Sequence, residues 1–137
     1  MKEFGCPSNA IITPHPGEAA MLLDCSVEEL QKNRLEAAKE LYKRYNCLII
    51  LKGYQTIVFD GEAYQCTDGG PALSTAGTGD VLAGLIGSFL AQGLSKIDAA
   101  RFSVAIHGAA GDKFSKNKRA RGLTATKLIK IINEEML

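Results

Sequence analysis

The chain has 137 residues, which is enough for one domain and short for two. Hydrophobic residues make up 46% and charged residues 23%, and the formal net charge is +1, as in an ordinary soluble globular protein. This balance does not favour bulk attraction to nucleic acid or to a membrane, so we expect neither as a partner. The first five residues lack the apolar core of a signal peptide, and the apolar run 47–51 is too short to cross a bilayer, so we predict a cytoplasmic protein.

The cysteines and histidines are too scattered to form a local metal motif. No two cysteines make a CxxC pair, and their spacing matches no zinc site. We therefore predict reduced thiols, and neither a metal site nor a disulfide. The cysteines lie at positions 6, 25, 47 and 66, and the histidines at 15 and 107.

In chain order, the first half predicts a strand, two helices and a second strand. The run 10–13 ends at prolines and predicts a buried strand, and residues 18–23 predict a short helix. Ser26 and Glu29 form a capping-box pattern at the start of one long amphipathic helix. The continuous apolar run 48–51 is typical of a strand in a covered parallel sheet.

A hairpin and three helices follow. Residues 56–59 and 63–66 predict its two strands, joined at an Asp-Gly turn. Residues 81–90 are apolar on nearly every side, which predicts a helix in the protein interior. We expect Ser95 to cap the next helix, about 96–116, and Thr124 to cap a last amphipathic helix. The basic segment between these two helices is interpreted as a solvated face.

This order indicates an α/β domain in which a glycine-rich loop follows strands and opens a helix. A helix buried on all sides needs layers on both faces, and the chain offers few elements to supply them. We therefore expect the chain to be part of a larger fold or to complete its core by self-association.

The strongest chemical signal is a small-residue loop, Ala76, Gly77, Thr78 and Gly79, that runs into Asp80. The glycines allow close approach of a ligand, and the free N–H groups that open a helix attract anions. A carboxylate there would repel a phosphate unless it removes a proton from the attacking nucleophile. The alternative is a structural helix-capping carboxylate. No Gly-Lys-Ser or Gly-Lys-Thr follows the glycines, so this is not a Walker loop.

Three further positions have both a functional and a structural interpretation. Two prolines flank His15 in a stiff segment, which alone is more often a rigid surface corner. Lys52 follows a buried strand and can reach a phosphate at the sheet edge, although a solvated lysine is the commoner case. His107 lies in an apolar helix and is interpreted by default as a core histidine.

Together these strings resemble the ADP-dependent NAD(P)H-hydrate dehydratases of the ribokinase-like superfamily. The resemblance spans nearly the whole chain. The Gly-Asp loop is moderately specific, and its combination with the string 13–18 is much more specific. The strings occur in the family order: 13–18, 51–53 with Thr56, 76–84, and 107–112 with its His-Gly and Gly-Asp pairs.

The resemblance implies a reaction and a set of roles. ADP phosphorylates the ring hydroxyl of hydrated NADH or NADPH, and loss of phosphate restores the double bond and leaves AMP. Asp80 resembles the base and a substrate contact, residues 76–79 the anion hole, and His15 a substrate-binding residue. Mg²⁺ is implied to shield the ADP phosphates. The positions that resemble nucleotide contacts are Lys52, Gly53, Tyr54, Gln55, Thr56 and Gly79.

The resemblance also implies that residues 1–137 form one partial domain. Family domains are about twice this length, so we expect the C-terminal half of a ribokinase-like α/β/α sandwich, with a mostly parallel sheet and a hairpin. The N-terminal half is expected to be absent, and the chain to be a homo-oligomer or part of a larger chain. Two alternatives stay open: a vitamin-precursor kinase of the same superfamily, and an inactive fragment that binds a nucleotide or a partner.

Overall fold

The computed structural model describes residues 5–117 and 122–137. The chain divides into two compact units, Met1–Gln65 and Cys66–Leu137. We call them the strand unit and the helical unit and describe each by itself. The prediction that residues 1–137 form one partial domain stays a prediction.

The strand unit is built on a four-stranded mixed sheet of order β1-β2-β3-β4. Its first two strands are parallel, with Ile11 opposite Leu48, and the other two pairs are antiparallel. The predicted strands and the hairpin are confirmed, but the parallel part is smaller than expected among the described strands. The strands are β1 (Ile11–Ile12), β2 (Leu48–Leu51), β3 (Ile57–Phe59) and β4 (Ala63–Gln65).

Three helices pack beside this sheet. They are α1 (Pro16–Leu23), α2 (Val27–Lys32) and α3 (Arg34–Tyr45). The predicted capping box of Ser26 and Glu29 is confirmed, because each side chain binds the other residue's backbone N–H. The prediction of one long helix is wrong. Asn33 adopts a non-helical conformation, with φ −146°, and its side chain accepts a hydrogen bond from the N–H of Glu36 to start α3.

The core of the strand unit lies between β2 and these helices. All four residues of β2 are buried, as the continuous apolar run predicts. Tyr42 packs edge-on against Phe59, with ring centroids 5.3 Å apart. Burial on both faces of β2 explains why its sequence shows no alternation of polar and apolar residues.

The described residues of the helical unit form three helices, with a 3₁₀ turn before them (Pro71–Leu73) and a π-helical turn after them (Ile132–Met136). The predicted caps are confirmed: Ser95 accepts from the N–H of Asp98, and Thr124 from that of Lys127. Of the predicted basic segment, residues 118–121 lie outside the described residues. The helices are α4 (Thr78–Ala91), α5 (Lys96–Asn117) and α6 (Ala125–Ile131).

The prediction that the helix over residues 81–90 is enclosed is wrong for this chain. Only Thr78, Leu82 and Ile86 of α4 are buried. A Cβ added at Gly84 or Gly87 would meet no heavy atom within 4 Å. In the helical unit α4 packs on α5 and α6, which cover one side. Its apolar sequence therefore exceeds what this unit can bury.

No helix in the described part of the chain has the length and apolar character needed to cross a membrane.

Candidate active site

In the strand unit, the structure brings two of the predicted strings together. β1 and β2 are parallel neighbours, so their carboxyl ends lie side by side. Beyond those ends, the N–H of Lys52 donates a hydrogen bond of 2.9 Å to the carbonyl oxygen of Pro14. The segment that carries His15 therefore adjoins the Lys52 turn. This edge of an α/β sheet is where such folds bind ligands.

His15 has a structural role that the sequence interpretation missed. It is the N-cap of α1: its Nδ1 accepts a 3.1 Å hydrogen bond from the N–H of Glu18. The Glu18 carboxylate in turn accepts a 2.7 Å bond from the N–H of His15. Because Nδ1 accepts, the Nε2 atom carries the proton of the neutral ring. The side chain is 56% exposed, so the cap orients the ring without enclosing it.

The sequence pattern predicts only that Arg34 lies on an amphipathic helix. In the structure, Arg34 also contacts the turn at Lys52. Its Nη2 donates to the carbonyl oxygens of Leu51 and Lys52, at 3.1 and 3.2 Å. A Cβ at Gly53 would lie 2.9 Å from Nη1, and φ of 136° at this residue favours glycine in any case. Burial lowers the pKa of Arg34, but a guanidinium stays charged at neutral pH. No spacing rule links Arg34 to a turn 18 residues away.

The turn itself has an irregular backbone that local hydrogen bonds stabilise. Gly53 has φ 136° and Gln55 has φ 55°, both in the left-handed region. The Thr56 hydroxyl donates to the carbonyl of Gly53 at 3.0 Å, and the Gln55 side chain accepts from Gln65 at 2.9 Å. Tyr54 is 73% exposed, so its ring is free to stack on a planar ligand.

Arg34 also lines a cleft of about 340 Å³ in the same unit. Its lining includes Lys32, Asn33, Ile57 and Gln65, none of which is among the site residues predicted from the sequence. The ammonium group of Lys32 pairs with the Glu28 carboxylate at 3.1 Å.

In the helical unit, the glycine-rich loop forms an open helix N-terminus. Gly77 is the N-cap of α4 with φ 86°, and no side chain caps this end. A Cβ at Gly77 would lie 3.2 Å from that of Ala125, so glycine suits the position for both reasons. The first-turn N–H groups have no partner within the helix, which is the arrangement that binds anions.

Thr78 differs from its neighbours in the predicted anion hole. Its N–H donates to the carbonyl of Thr75 at 3.3 Å. Its hydroxyl lies 2.6 Å from the carbonyl of Leu73 and 2.8 Å from that of Thr75. The residue is 3% exposed. Thr78 therefore braces the loop, while Ala76, Gly77 and Gly79 are less buried than Thr78.

Asp80 lies in the first turn of α4 and is exposed. The helix dipole stabilises a carboxylate at this position. It does not cap the helix, because the N-cap is Gly77 and has no side chain. Asp80 is therefore not the N-cap, and its first-turn position fits both the structural role beside the helix dipole and the predicted role as a base.

Two side chains of α5 fix the loop before Asp80. His107 Nε2 lies 2.8 Å from the carbonyl oxygen of Thr78. The two carboxylate oxygens of Asp112 accept from the N–H groups of Gly69 and Gly70, both at 3.1 Å. His107 is thus a positioning residue and not only a core histidine.

Two glycines of the same helix let the loop approach closely. A Cβ at Gly108 would lie 2.9 Å from the carbonyl oxygen of Asp68, and one at Gly111 would lie 2.6 Å from Leu73. Four residues of α5 therefore contact the loop: His107, Gly108, Gly111 and Asp112. Their sequence pattern resembles that of the family, but it does not predict this shared contact.

The mixed sheet, its flanking helices and the glycine-rich loop ahead of Asp80 define a ribokinase-like α/β protein. A family model described as NAD(P)H-hydrate dehydratase matches residues 3–134, and the chain belongs to that family.

Three comparisons give the extent of the similarity. The bifunctional NAD(P)H-hydrate repair enzyme Nnr of Vibrio cholerae is 44% identical over 125 residues, which are 90% of this chain and 25% of the relative. The ADP-dependent (S)-NAD(P)H-hydrate dehydratase of Neisseria meningitidis is 42% identical over 88% of this chain and 40% of its own length. The ADP/ATP-dependent NAD(P)H-hydrate dehydratase of Bacillus subtilis, co-crystallised with ATP/Mg²⁺, superposes with a TM-score of 0.86 at 36% identity, covering 91% of this chain and 46% of that one. The chain therefore spans less than half the length of these relatives.

Proposed function

We propose that this chain takes part in the ADP-dependent dehydration of hydrated NADH or NADPH, releasing AMP and phosphate. One observation carries the proposal: an uncapped helix N-terminus and an exposed carboxylate lie within one turn of α4. Hydrogen-bond donors for a transferring phosphoryl group and a base for the attacking hydroxyl are the two functions that this reaction needs.

In the helical unit, Asp80 removes the proton from the ring hydroxyl of the hydrated nicotinamide, which then attacks the β-phosphorus of ADP. The backbone N–H groups of Ala76, Gly77 and Gly79 stabilise the charge on the phosphoryl oxygens. Thr78, also predicted in the anion hole, is proposed to brace this loop, because its own N–H binds Thr75.

In the strand unit, His15 contacts the hydrated nucleotide, and its cap on α1 supports a fixed ring orientation. The turn of Lys52, Gly53, Tyr54, Gln55 and Thr56 binds the nucleotide, and Gly79 in the helical unit is a further predicted nucleotide contact. Lysine supplies a cation for a phosphate, and the exposed tyrosine supplies a stacking surface. The name of the Neisseria relative supports ADP as the co-substrate.

We propose that Mg²⁺ binds together with the nucleotide, through its phosphates. No group of three or more His, Cys, Asp or Glu side chains within residues 5–117 and 122–137 could hold a metal ion. Mg²⁺ commonly binds through substrate phosphates and water, which fits delivery with ADP.

The test combines an assay with one isosteric substitution. The purified chain receives ADP and hydrated NADH, and recovery of the NADH absorbance is followed. Asp80→Asn should lower kcat at least about a hundredfold and leave ADP binding intact. Asp60→Asn, an exposed carboxylate in the hairpin turn, is the matched control and should be unchanged. Full activity of Asp80→Asn would contradict the proposed base.

The vitamin-precursor kinase is tested in the same assay. Supplying ATP with a thiazole alcohol should give no phosphorylated product. Reaction of that alcohol without reaction of hydrated NADH would identify a kinase instead.

The exposed apolar side of α4 favours a second candidate: a nucleotide-binding chain that self-associates or joins a larger assembly without turnover. Size-exclusion chromatography with ADP titration separates the two candidates. A stable oligomer that binds ADP and never releases AMP would favour this second candidate.

A further inference from the structure

Cys6 and Cys47 are 41 positions apart in the sequence, yet their sulfur atoms lie 3.4 Å from each other. The Cys6 thiol donates a weak hydrogen bond to the Cys47 sulfur. The four cysteines, all of which lie in the described residues, form no disulfide in the structure. A disulfide has an S–S distance of about 2.05 Å, so bond formation needs the sulfurs to approach by about 1.4 Å.

The backbone explains why two distant cysteines meet. Cys47 immediately precedes β2, whose first residue, Leu48, pairs with Ile11 of the parallel strand β1. Ahead of β1 the chain makes a turn, in which the N–H of Ala10 donates to the carbonyl of Pro7 at 2.9 Å. This turn places Cys6 beside the start of β2.

The two thiols differ in access. Cys47 is 2% exposed, whereas Cys6 is only partly buried. A reagent in solution can therefore reach Cys6, while Cys47 is held against it out of reach. An accessible cysteine beside a buried one is the arrangement in which the first reacts and the second resolves the intermediate.

We propose that Cys6 and Cys47 are a dithiol pair that a low-molecular-weight disulfide oxidises to a reversible cross-link between the starts of β1 and β2. The Cys6 thiolate attacks one sulfur of the small disulfide, and the first small thiol leaves with the proton that Cys6 gave up. The Cys47 thiolate then attacks the Cys6 sulfur, and the second small thiol leaves with the proton of Cys47. The protein loses two hydrogen atoms, and one small disulfide becomes two small thiols.

The cross-link would close a loop that contains all of α1, α2 and α3. Closing a loop of this length removes entropy from the unfolded chain. The oxidised protein should therefore unfold about 5–10 °C above the reduced protein, and the difference should disappear with a dithiol reductant.

The test treats the full chain with glutathione disulfide, digests it without reductant and identifies linked peptides by mass spectrometry. The expected product joins Cys6 to Cys47 in one chain. Cys25→Ser is the matched control, because Cys25 is a partly buried thiol packed on the same core, and the cross-link should still form.

Cys6→Ser should form no such linked peptide and should lose the rise in unfolding temperature. This variant keeps the test decisive even where Cys47→Ser fails to fold, because Cys6 is not part of the buried core. Three results would overturn the proposal: a glutathione adduct that persists on Cys6, a link from Cys6 to Cys25 or Cys66, or an unfolding temperature unchanged by oxidation.

Discussion

The Nε2 atom of His107 donates a 2.8 Å hydrogen bond to the carbonyl oxygen of Thr78, which opens the helix that carries Asp80. A carbonyl oxygen only accepts, so the proton of this bond must be on Nε2. The first turn of α4 is therefore tied to α5. A loop that must present N–H groups to a phosphoryl group benefits from such a fixed position.

Removing this bond should loosen the loop. We expect His107→Leu to lower the free energy of unfolding by about 1–2 kcal/mol, because the hydrogen bond between α5 and the first residue of α4 is lost. His107→Gln should recover part of the loss, since its amide can donate over a similar reach. Urea denaturation measures both, and Lys116→Ala, at an exposed position of the same helix, should leave stability unchanged. Equal stability of the leucine variant and the wild type would contradict the positioning role.

The close packing of α5 against the loop can be tested with two glycines. Gly108→Ala places a Cβ 2.9 Å from the backbone carbonyl oxygen of Asp68, so we expect a loss of about 1–3 kcal/mol. Gly84→Ala is the matched control, because its Cβ enters open space in α4. Alanine there should stabilise the protein by about 0.5–1 kcal/mol. Thermal unfolding should move in opposite directions for the two variants, and a shared direction would refute the packing argument.

Arg34 should affect the turn at residues 52–56, which we propose binds the nucleotide, without touching the nucleotide itself. Arg34→Met keeps an unbranched, flexible side chain and removes both hydrogen bonds to the Leu51 and Lys52 carbonyls. We expect a loss of about 1–3 kcal/mol in unfolding free energy and weaker ADP binding by calorimetry.

The control for Arg34 lies on the same helix. Arg44 forms exposed ion pairs with Asp24 and Glu40, and such pairs contribute little to stability because solvent screens them. Arg44→Met should therefore leave ADP binding unchanged. Identical binding by the Arg34 and Arg44 variants would argue against a link between Arg34 and the turn.

We expect the buried Cys66 thiol to make the folded protein less stable at alkaline pH. Burial, the largest cause, raises the pKa of its thiol, so the folded state keeps the proton at a pH where the unfolded chain has lost it. The unfolded state then binds fewer protons, and stability falls as the pH rises past 9.0, the ordinary value for this thiol. Below that pH the contribution is fully present.

The pH effect is measured as a difference. Unfolding free energies of the wild type and Cys66→Ala are compared from neutral pH to about pH 10. The alanine variant should lose less stability over this range, because it has no thiol to ionise. Parallel pH curves for the two proteins would contradict the assignment to Cys66.

The features that the sequence predicted correctly are those that a few neighbouring residues specify. The capping box at Ser26, the caps at Ser95 and Thr124 and the Asp-Gly hairpin each depend on residues within about four positions. The buried strand β2 is equally readable, because burial on both faces leaves a continuous apolar run. The break at Asn33 was missed, since its backbone conformation interrupts a pattern that otherwise fits one helix.

The sequence by itself determined the order of most elements, because local hydrogen bonds and side-chain periodicity encode them. The family resemblance and the residues proposed for chemistry came from short motifs and their order along the chain. Only the tertiary structure decided how those residues are held. The bonds of His107 to Thr78 and of Asp112 to Gly69 join residues 29 and 43 positions apart, and no periodicity connects such positions. The contact of Cys6 with Cys47 also joins distant positions. The exposed side of α4 likewise depends on which segments pack against this helix. Packing between distant segments creates these relationships, and it exists only once the chain has folded.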